Sequence, residues 1–566
     1  MLRPESPATA ARHHSWSRDL ILLAAIFALL FGLRLGSPPL ANPDEGRYAE
    51  VPREMVASGD WVTPRLDGVV YFEKPPLMYW AVAVCLEAFG PSEWSMRLAP
   101  ALFALGGVLL TYAAGRRLLG RDGGLAAAIV LGSSLLYFAL GRILILDMAV
   151  SVLMTATLFC FILGVRETAG RRRRWFFYGL YASAALATLT KGLIGFLLPG
   201  LVMFLWLLIF NQWKRLRPLY LPTGLLLFLA IAVPWHVLAE LRHPGWAHFY
   251  FIHEHWERYT TTTHGRYEPF WYFIPVVIFG FFPWTGFLWP ALRREFARGV
   301  AERNEKADAW FLVTWAVVIF VFYSASQSKL IPYILPVFPP LAVLIGGWLG
   351  DAQAAREAVR KMRNGLGFFA FCCGVLGAAM VVIVLRPAVI HDAAQAAALR
   401  PFAAVLGIAL LVGGVVTPWL AKWRGLRAGL GGLVVTIAVL YGGLMLAQTH
   451  IARPSTKELA FFVRAHARPG DRVVHYHDFF HDFTFYAERL VDVVSGEGEL
   501  ELGQDPAARA SGRFIDDAEF RRRWEGPARL WVVARRRDVT ELFADTTFHY
   551  HLLAETPGHY LFSNRP

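Results

Sequence analysis

The sequence has little charge and few cysteines for its length. Of its 566 residues, 17% are charged and 56% are hydrophobic, and the mean hydropathy is +0.41. This composition is too apolar for an ordinary soluble globular protein. The four cysteines all lie in apolar segments, which argues against a disulfide framework and against a cysteine zinc site. The sequence also lacks an internal repeat and a matching pair of broken apolar segments in its two halves, which disfavours a secondary transporter built from inverted repeats.

Long apolar runs make up most of the chain. A run of about 17–25 such residues can cross ~30 Å of hydrocarbon as a helix. The shorter apolar segment 77–90 follows two prolines, and we interpret it as a helix at the outer surface rather than a span. The sequence predicts thirteen spans, near 19–36, 96–115, 122–140, 145–165, 175–190, 192–210, 219–240, 270–290, 309–325, 330–348, 364–385, 402–420 and 428–448.

The positions of Lys and Arg predict the orientation. They concentrate in short connections two spans apart, and basic connections of this kind tend to stay in the cytoplasm. The first helix follows Arg12 and Arg18 and is interpreted as an uncleaved signal anchor. The N-terminus is then cytoplasmic, and the tail after about residue 450 lies outside, in the periplasm of a bacterium. Because much of the net charge of +13 is in these connections, we expect no nucleic-acid partner.

The predicted organisation is a polytopic α-helical membrane domain over 1–450, with outer loops 37–95 and 241–269, and a soluble α/β domain over 451–566. Strand-like and helix-like runs alternate in the tail, as in α/β folds. The strand-like runs are 472–476, 490–494 and 529–534, and the helix-like runs are 455–468 and 516–524. A polar cluster in the tail is interpreted as solvated, namely His475, His477, Asp478, His481 and Asp482.

Acids, bases and aromatics crowd the first outer loop. An isolated charge at the bilayer centre costs roughly 2.5–3.5 kcal/mol, so this cluster must be hydrated, paired or coordinated. Arg47 and Lys74 can bind phosphate, and Arg does so through two parallel hydrogen bonds. Structural interpretations stay open: Asp44 and Glu45 could be an interfacial pair that ends a helix, and Tyr71 an aromatic of the membrane interface.

The second outer loop contains a run of histidine and carboxylate. Imidazole and carboxylate together can hold a divalent ion, with Glu73 of the first loop as a further ligand. His255 is the first candidate and His253 the second. The spacing is not diagnostic, and a surface salt bridge between Glu254 and Arg258 is the structural alternative.

Three charged residues stand at outer ends of predicted spans. Asp147 begins a span, where helix capping and the helix dipole also explain a carboxylate. Lys191 and Lys329 depart from the cytoplasmic preference of basic residues, and the phosphate of a lipid is their expected partner.

Taken together, these residues resemble the polyprenyl-phosphate-dependent membrane glycosyltransferases of the GT-C fold, in particular the bacterial lipid A 4-amino-4-deoxy-L-arabinose transferases. The resemblance covers roughly 19–350 well. The residues that carry it are Asp44-Glu45, Arg47-Tyr48, the segments 59–61 and 73–80, Asp147, Glu254-His255 and Arg258-Tyr259.

The resemblance implies that undecaprenyl phosphate carries the sugar and that a lipid A phosphate accepts it at the outer face of the inner membrane, which confers resistance to cationic antimicrobial peptides such as polymyxin. A divalent metal, Zn or Mg/Mn, and a monomeric state are also expected. The candidate catalytic residues are Asp44, Lys74, Arg47 and Asp147; the candidate lipid-phosphate ligands are Lys74, Arg258, Tyr333, Tyr48, Tyr71, Tyr259, Lys191 and Lys329; the candidate metal ligands are Glu73, His255 and His253.

Alternatives remain open at this stage. The first-loop pattern is also typical of protein O-mannosyltransferases, so a transferase that acts on protein or on another glycan is the main rival. A lipid-linked sugar transporter and a sensor without catalysis are the rivals from other functional classes.

Overall fold

The structure is a computed structural model that describes residues 7–250, 268–296, 307–354, 358–386, 393–451, 455–496, 500 and 505–566. The chain divides into two compact units. The helical unit comprises Met1–Leu35, Pro100–Val237 and Ala247–Ile451. The sheet unit comprises Gly36–Ala99, Leu238–Trp246 and Ala452–Pro566.

The helical unit is built from long apolar helices. The helices are α1 (Pro7–Gly32), α4 (Glu93–Leu119), α5 (Arg121–Gly132), α6 (Leu135–Leu140), α7 (Asp147–Arg166), α8 (Arg171–Lys191), α9 (Ile194–Phe210), α10 (Leu221–Arg242), α11 (Phe273–Gly280), α12 (Leu288–Phe296), α13 (Ala307–Ala325), α14 (Phe338–Ala354), α15 (Ala358–Leu385), α16 (Ala393–Arg424) and α17 (Leu426–Ile451). The first part of α4 and the end of α10 belong to the sheet unit, as do α2 (Asp44–Ser58) and α3 (Leu77–Phe89).

Nine helices of the described ranges are long and apolar enough to cross a membrane, and the pair Phe273–Gly280 and Thr285–Phe296, bent by 101°, makes ten if it is one span. The predicted membrane class is confirmed. Three other predicted spans are helical but atypical: 122–140 is split into α5 and α6, 175–190 lies in α8, which begins with four arginines, and 192–210 lies in the 17-residue α9. The total of thirteen spans stays a prediction.

The sheet unit combines the first outer loop with the tail. The elements of this unit are α2 (Asp44–Ser58), β1 (Arg65–Leu66), β2 (Val69–Val70), α3 (Leu77–Phe89), α18 (Lys457–His466), β3 (Arg472–Tyr476), α19 (His481–Ala487), β4 (Asp492–Val494), α20 (Pro506–Ala510), β5 (Phe514–Ile515), α21 (Asp517–Trp524), β6 (Leu530–Arg535), α22 (Thr540–Ala544), β7 (His551–Glu555) and β8 (His559–Ser563). Strands β3 to β8 form one sheet in the order β5-β4-β3-β6-β8-β7, in which β5, β4, β3 and β6 are parallel.

The core of the sheet unit follows the alternation of the strands. Val474 on β3 and Val532 on β6 point to one face, where they pack against Phe520 and Trp524 of α21. Successive side chains of a strand face opposite sides, so this alternation buries every second residue on one face. The predicted strand-like runs coincide with β3, β4 and β6, and the predicted helix-like runs with α18 and α21.

Buried polar contacts tie the first outer loop to the tail. The buried carboxylate of Asp482 accepts hydrogen bonds from Asn42 of the loop and, within the tail, from the backbone N–H of Thr456 at 2.8 Å. Asp67 of the loop pairs with Arg513 of the tail at 2.8 Å. Loop and tail therefore pack in one unit, whereas a domain boundary at residue 450 stays a prediction.

The interpretation of the tail cluster as solvated is wrong for three of its five residues. His475 and Asp482 are fully buried, and His481 is nearly so. Burial penalises the charged imidazole and lowers the pKa of His475 to about 3. Polar residues on a short segment look solvated in sequence. Here the ring of His475 contacts Phe480, the ring of His481 contacts Phe479, and Asp482 accepts hydrogen bonds from Thr456.

Gly46 allows α2 to lie against α19. A Cβ built on Gly46 would lie 2.5 Å from the backbone nitrogen of Asp482 and 2.6 Å from the carbonyl carbon of His481. Both atoms belong to the backbone, which cannot rotate away as a flexible side chain can. The glycine therefore sets the distance between the two helices.

We expect Gly46→Ala to lower the thermal-unfolding midpoint, because overpacking a tight contact costs about 1–3 kcal/mol. The matched control is Gly106→Ala in α4, where an added Cβ meets no atom within 4 Å. Thermal unfolding in detergent measures both variants. Equal midpoints for the two variants would contradict the close approach.

α2 also carries a cluster of buried carboxylates. Arg53 donates to both oxygens of Glu50, at 2.6 and 2.7 Å. Glu54 accepts the backbone N–H of Gly68 at 2.9 Å. Burial, followed by the negative charges of Glu50 and Asp67, raises the pKa of Glu54 from 4.5 to about 8. Glu54 is therefore protonated at neutral pH.

A raised pKa in the folded state gives stability that is complete below pH 4.5, the pKa of the free side chain, and is lost as the pH rises through about 8. We expect Glu54→Gln to remove this loss, so that the unfolding midpoint of the variant falls less than that of the wild type between about pH 5 and about pH 9. Glu87→Gln, on the exposed side of α3, is the control. If the unfolding midpoints of wild type and Glu54→Gln changed with pH in parallel, the raised pKa of Glu54 would be refuted.

Candidate functional site

The start of α2 presents one of its two acidic residues to the exterior. Asp44 and Glu45 occupy the first turn of the helix, where the positive end of the helix dipole stabilises carboxylates. The side chain of Asp44 is 59% exposed, whereas that of Glu45 is 5% exposed. The two adjacent carboxylates therefore have different environments.

Glu45 is held in a buried ion pair. Arg97, near the start of α4, donates to both of its oxygens, at 2.7 and 2.6 Å. The same guanidinium donates to the carbonyls of Pro38 and Pro39 at 2.7 and 2.9 Å. Two-pronged pairing of this kind is strong and directional. Glu45 thus fixes the start of α2 against the start of α4, whereas Asp44 remains exposed.

Arg97 was not among the predicted site residues. A signal for it exists in the sequence, because it is a basic residue at the outer end of a predicted span, as Lys191 and Lys329 are. What the sequence does not show is that its partner would be the second of two adjacent acids.

Arg47 lies one turn after Asp44 and is buried. Its guanidinium donates to Asp44 at 3.3 Å and to the hydroxyl of Tyr71 at 3.1 Å. The guanidinium carbon is 5.9 Å from the ring centroids of both Tyr48 and Tyr71, and Tyr48 stacks on Tyr79. Burial raises the pKa of Tyr71 well above its usual value, so the hydroxyl stays protonated. The predicted residues Asp44, Arg47, Tyr48 and Tyr71 are thus brought together.

Glu73 and Lys74 lie partly buried after β2. The ammonium of Lys74 donates to the backbone carbonyl of Glu73 at 2.7 Å and is 3.7 Å from its carboxylate. Throughout the described part of the chain, no group of three or more His, Cys, Asp or Glu side chains is placed to hold a metal. The other predicted metal ligands, His253 and His255, lie outside the described residues, so the metal stays a prediction.

The beginning of the second outer loop packs on the first. Arg242 donates to Asp60 at 2.8 Å, and a ring nitrogen of His243 is 3.2 Å from the hydroxyl of Thr63. The ring of Phe72 contacts His243, with 5.0 Å between the ring centroids. Leu238–Trp246, which includes the first residues of the second outer loop, thus belongs to the same unit as the first loop. The candidates Arg258 and Tyr259 lie outside the described residues.

The helical unit brings together three of its predicted residues. Lys191, at the end of α8, donates a hydrogen bond to Asp147, at the start of α7. The ammonium of Lys191 also lies 4.2 Å from the ring centroid of Tyr333, and the ring centroids of Tyr333 and Tyr323 are 5.5 Å apart. Asp147, Lys191 and Tyr333 thus form one cluster of acid, base and aromatic.

Lys329 has a different environment. It is 4% exposed, and its ammonium donates to the carbonyls of Glu268 and Ser326 at 2.7 and 2.5 Å. Burial lowers the pKa of this ammonium. These contacts are those of a residue that closes a loop, and its predicted role as a phosphate ligand stays a prediction.

The chain is similar to known glycosyltransferases. The family described as dolichyl-phosphate-mannose-protein mannosyltransferase matches residues 73–237. The chain is 30% identical to the undecaprenyl phosphate-alpha-4-amino-4-deoxy-L-arabinose arabinosyl transferase of Pectobacterium carotovorum, over 94% of each chain. It is also 30% identical to the enzyme of that name from Pectobacterium atrosepticum, over 91% of this chain and 90% of the relative.

A solved structure is similar over nearly the whole length. The crystal structure of ArnT from Cupriavidus metallidurans bound to undecaprenyl phosphate matches with a TM-score of 0.84 and 30% identity, covering 96% of this chain and 97% of that one. The apo structure of the same protein matches with a TM-score of 0.81. This chain belongs to the family of undecaprenyl phosphate-alpha-4-amino-4-deoxy-L-arabinose arabinosyl transferases, which are glycosyltransferases of the GT-C fold.

Proposed function

We propose that this protein transfers 4-amino-4-deoxy-L-arabinose from undecaprenyl phosphate to a phosphate group of lipid A at the periplasmic face of the bacterial inner membrane. The sugar and its carrier are those in the names of relatives aligned over 94% of the chain. The observation that carries the proposal in this structure is the pair formed by exposed Asp44 and buried Arg47.

The chemistry of the reaction suits a site of this kind. The acceptor phosphate is already ionised, so it needs no strong general base. One of its oxygens attacks the anomeric carbon, the bond from that carbon to the phosphate oxygen of the carrier breaks, and undecaprenyl phosphate leaves with the bonding electrons. The configuration inverts, and no net proton transfer is required. Fixed charges are therefore the main contribution of the protein.

Asp44 supplies negative charge where positive charge develops. In the transition state the sugar carbon acquires oxocarbenium character, which a carboxylate stabilises or orients against the acceptor. Arg47 donates to Asp44 and is itself held by Tyr71, so the carboxylate is positioned before the substrates arrive. Positioning of this kind avoids reorganisation during the reaction.

Cations would bind the phosphates of carrier and acceptor. Lys74 is partly buried beside Glu73 and suits a phosphate as a compact positive charge. Lys191, Lys329, Tyr333, Arg258 and Tyr259 complete the proposed set of phosphate ligands. A divalent ion held by Glu73 with His255 or His253 would add a further positive charge near the leaving phosphate.

The proposed topology has thirteen spans. Nine are the long apolar helices of the described ranges, one is the bent pair, and three are the predicted segments in α5–α6, α8 and α9. The N-terminus is cytoplasmic, and the tail over 451–566 is a soluble periplasmic domain. The alternation of basic connections supports this orientation. We propose that the protein acts as a monomer, and that its product confers resistance to polymyxin by reducing the negative charge of lipid A.

We expect Asp44→Asn to lower the transfer rate roughly a hundredfold, because it removes a fixed charge aimed at the transition state. Binding of undecaprenyl phosphate and the unfolding midpoint should be retained, since the side chain is mostly exposed. Glu87→Gln, on the exposed side of α3, is the matched control. Wild-type turnover by Asp44→Asn would refute the proposed role.

Incubation of the purified protein with undecaprenyl-phosphate-linked 4-amino-4-deoxy-L-arabinose and lipid A tests the reaction. Mass spectrometry should show lipid A that gains one aminopentose, together with release of undecaprenyl phosphate. The match to the mannosyltransferase family makes polyprenyl-phosphate mannose the control donor. Transfer of mannose but not aminopentose would favour the rival enzyme, and absence of released undecaprenyl phosphate would favour a transporter.

A further inference from the structure

A cavity of about 870 Å³ lies at one end of the helical unit. α4 and α7 end at this cavity and α8 begins there, while α1 contributes Trp16. Asp147 and Lys191 occupy the opposite ends of α7 and α8. The cavity is therefore at the end of the bundle remote from that pair.

The lining of the cavity carries excess positive charge. Arg117, Arg166 and Arg172 contribute to it, against one carboxylate from Glu167. Arg166 is 3.2 Å from Asp308 and is partly neutralised. In the described ranges, by contrast, neither Arg117 nor Arg172 has a carboxylate within 4.0 Å. Two guanidinium groups thus remain available for an anion.

The neighbouring residues Arg116 and Arg117 differ in whether their positive charge is paired with a carboxylate. Arg116 is paired with Asp19 at 3.0 Å and also donates to Ser15. Arg117 instead lies over the ring of Phe176, with 5.0 Å from the guanidinium carbon to the ring centroid. The quadrupole of an aromatic ring attracts a cation but does not cancel its charge. Arg117 is therefore positioned without being neutralised.

Aromatic residues flank the arginines. Trp175 is 63% exposed and lines the cavity with Trp16, whose ring lies under the guanidinium of Arg116 at 4.4 Å. Tryptophan prefers the level of lipid headgroups in a membrane protein. The combination of open guanidinium groups and interfacial tryptophan is typical of a site for a charged headgroup that is attached to hydrocarbon.

We propose that this cavity binds the phosphate headgroup of an anionic membrane lipid, with Arg117 and Arg172 as phosphate ligands and Trp16 and Trp175 against the glycerol and first acyl carbons. The excess of basic residues assigns it to the cytoplasmic leaflet, where anionic lipids attract such clusters. Its volume falls in the range of about 300–1,000 Å³ that is usual for small-molecule sites. The site is separate from the transfer reaction and does not depend on the proposed function.

The test uses the purified full-length chain in detergent, with bound lipid counted by native mass spectrometry. Dioleoyl-phosphatidylglycerol is titrated against dioleoyl-phosphatidylethanolamine, and inorganic phosphate is added in a separate arm. We expect the wild-type protein to retain phosphatidylglycerol in preference to phosphatidylethanolamine. The double variant Arg117→Gln/Arg172→Gln should bind it roughly thirtyfold more weakly, because two basic groups facing an anionic lipid are lost.

The matched control is Arg171→Gln/Arg174→Gln, which removes the same charge from exposed positions of the same helix outside the cavity lining. This control should bind as wild type does. Equal weakening in both variants would mean a diffuse surface effect and would overturn the proposal, as would equal binding of the two lipids. Displacement of phosphatidylglycerol by inorganic phosphate would assign the cavity to a soluble anion and overturn the lipid assignment.

Folding is checked by the thermal-unfolding midpoint and by transferase activity, both of which should match wild type in every variant. If the double variant does not fold, the single exposed change Arg172→Gln is compared with Arg171→Gln in the same titration. If Arg172→Gln bound phosphatidylglycerol with the same affinity as Arg171→Gln, the proposal would be overturned as well.

Discussion

The buried ion pair between Glu45 and Arg97 is the interaction on which the candidate site depends. Its side chains are 5% and 3% exposed, so each charge would be costly without the other. The guanidinium also satisfies the carbonyls of two prolines before α2. With the start of α2 fixed in this way, the neighbouring Asp44 is held at the exterior by the helix itself. One acid is thus bound in the interior, and the adjacent one is exposed.

The two ends of the α7 and α8 pair differ in whether their charged side chains are paired. At one end Asp147 and Lys191 neutralise each other beside Tyr333. At the other end several arginines gather, and two of them keep their charge available around a cavity. Charges that are compensated are suited to hold helices together, whereas uncompensated charges at a membrane surface are suited to hold a ligand. The antiparallel helices thus carry opposite kinds of polar site.

The sheet unit joins parts of the chain that are far apart in sequence. Gly46 lets α2 approach α19, and Asp482 accepts a hydrogen bond from Asn42, more than 400 residues earlier. The first outer loop is therefore packed against the tail. Its geometry is supported by the tail, which gives the tail a structural role in positioning Asp44 and Arg47 in addition to any contact with an acceptor.

The membrane class, the long helices, the strands β3, β4 and β6, and the crowding of charged and aromatic residues near Asp44 and Arg47 could be predicted from the sequence. Hydrophobic period, length and local motifs are properties of neighbouring residues. The folded chain was needed to show that Glu45 pairs with Arg97, that His475, His481 and Asp482 are buried, and that Arg117 differs from Arg116. Burial and pairing depend on which distant segments meet, and no local pattern contains that information.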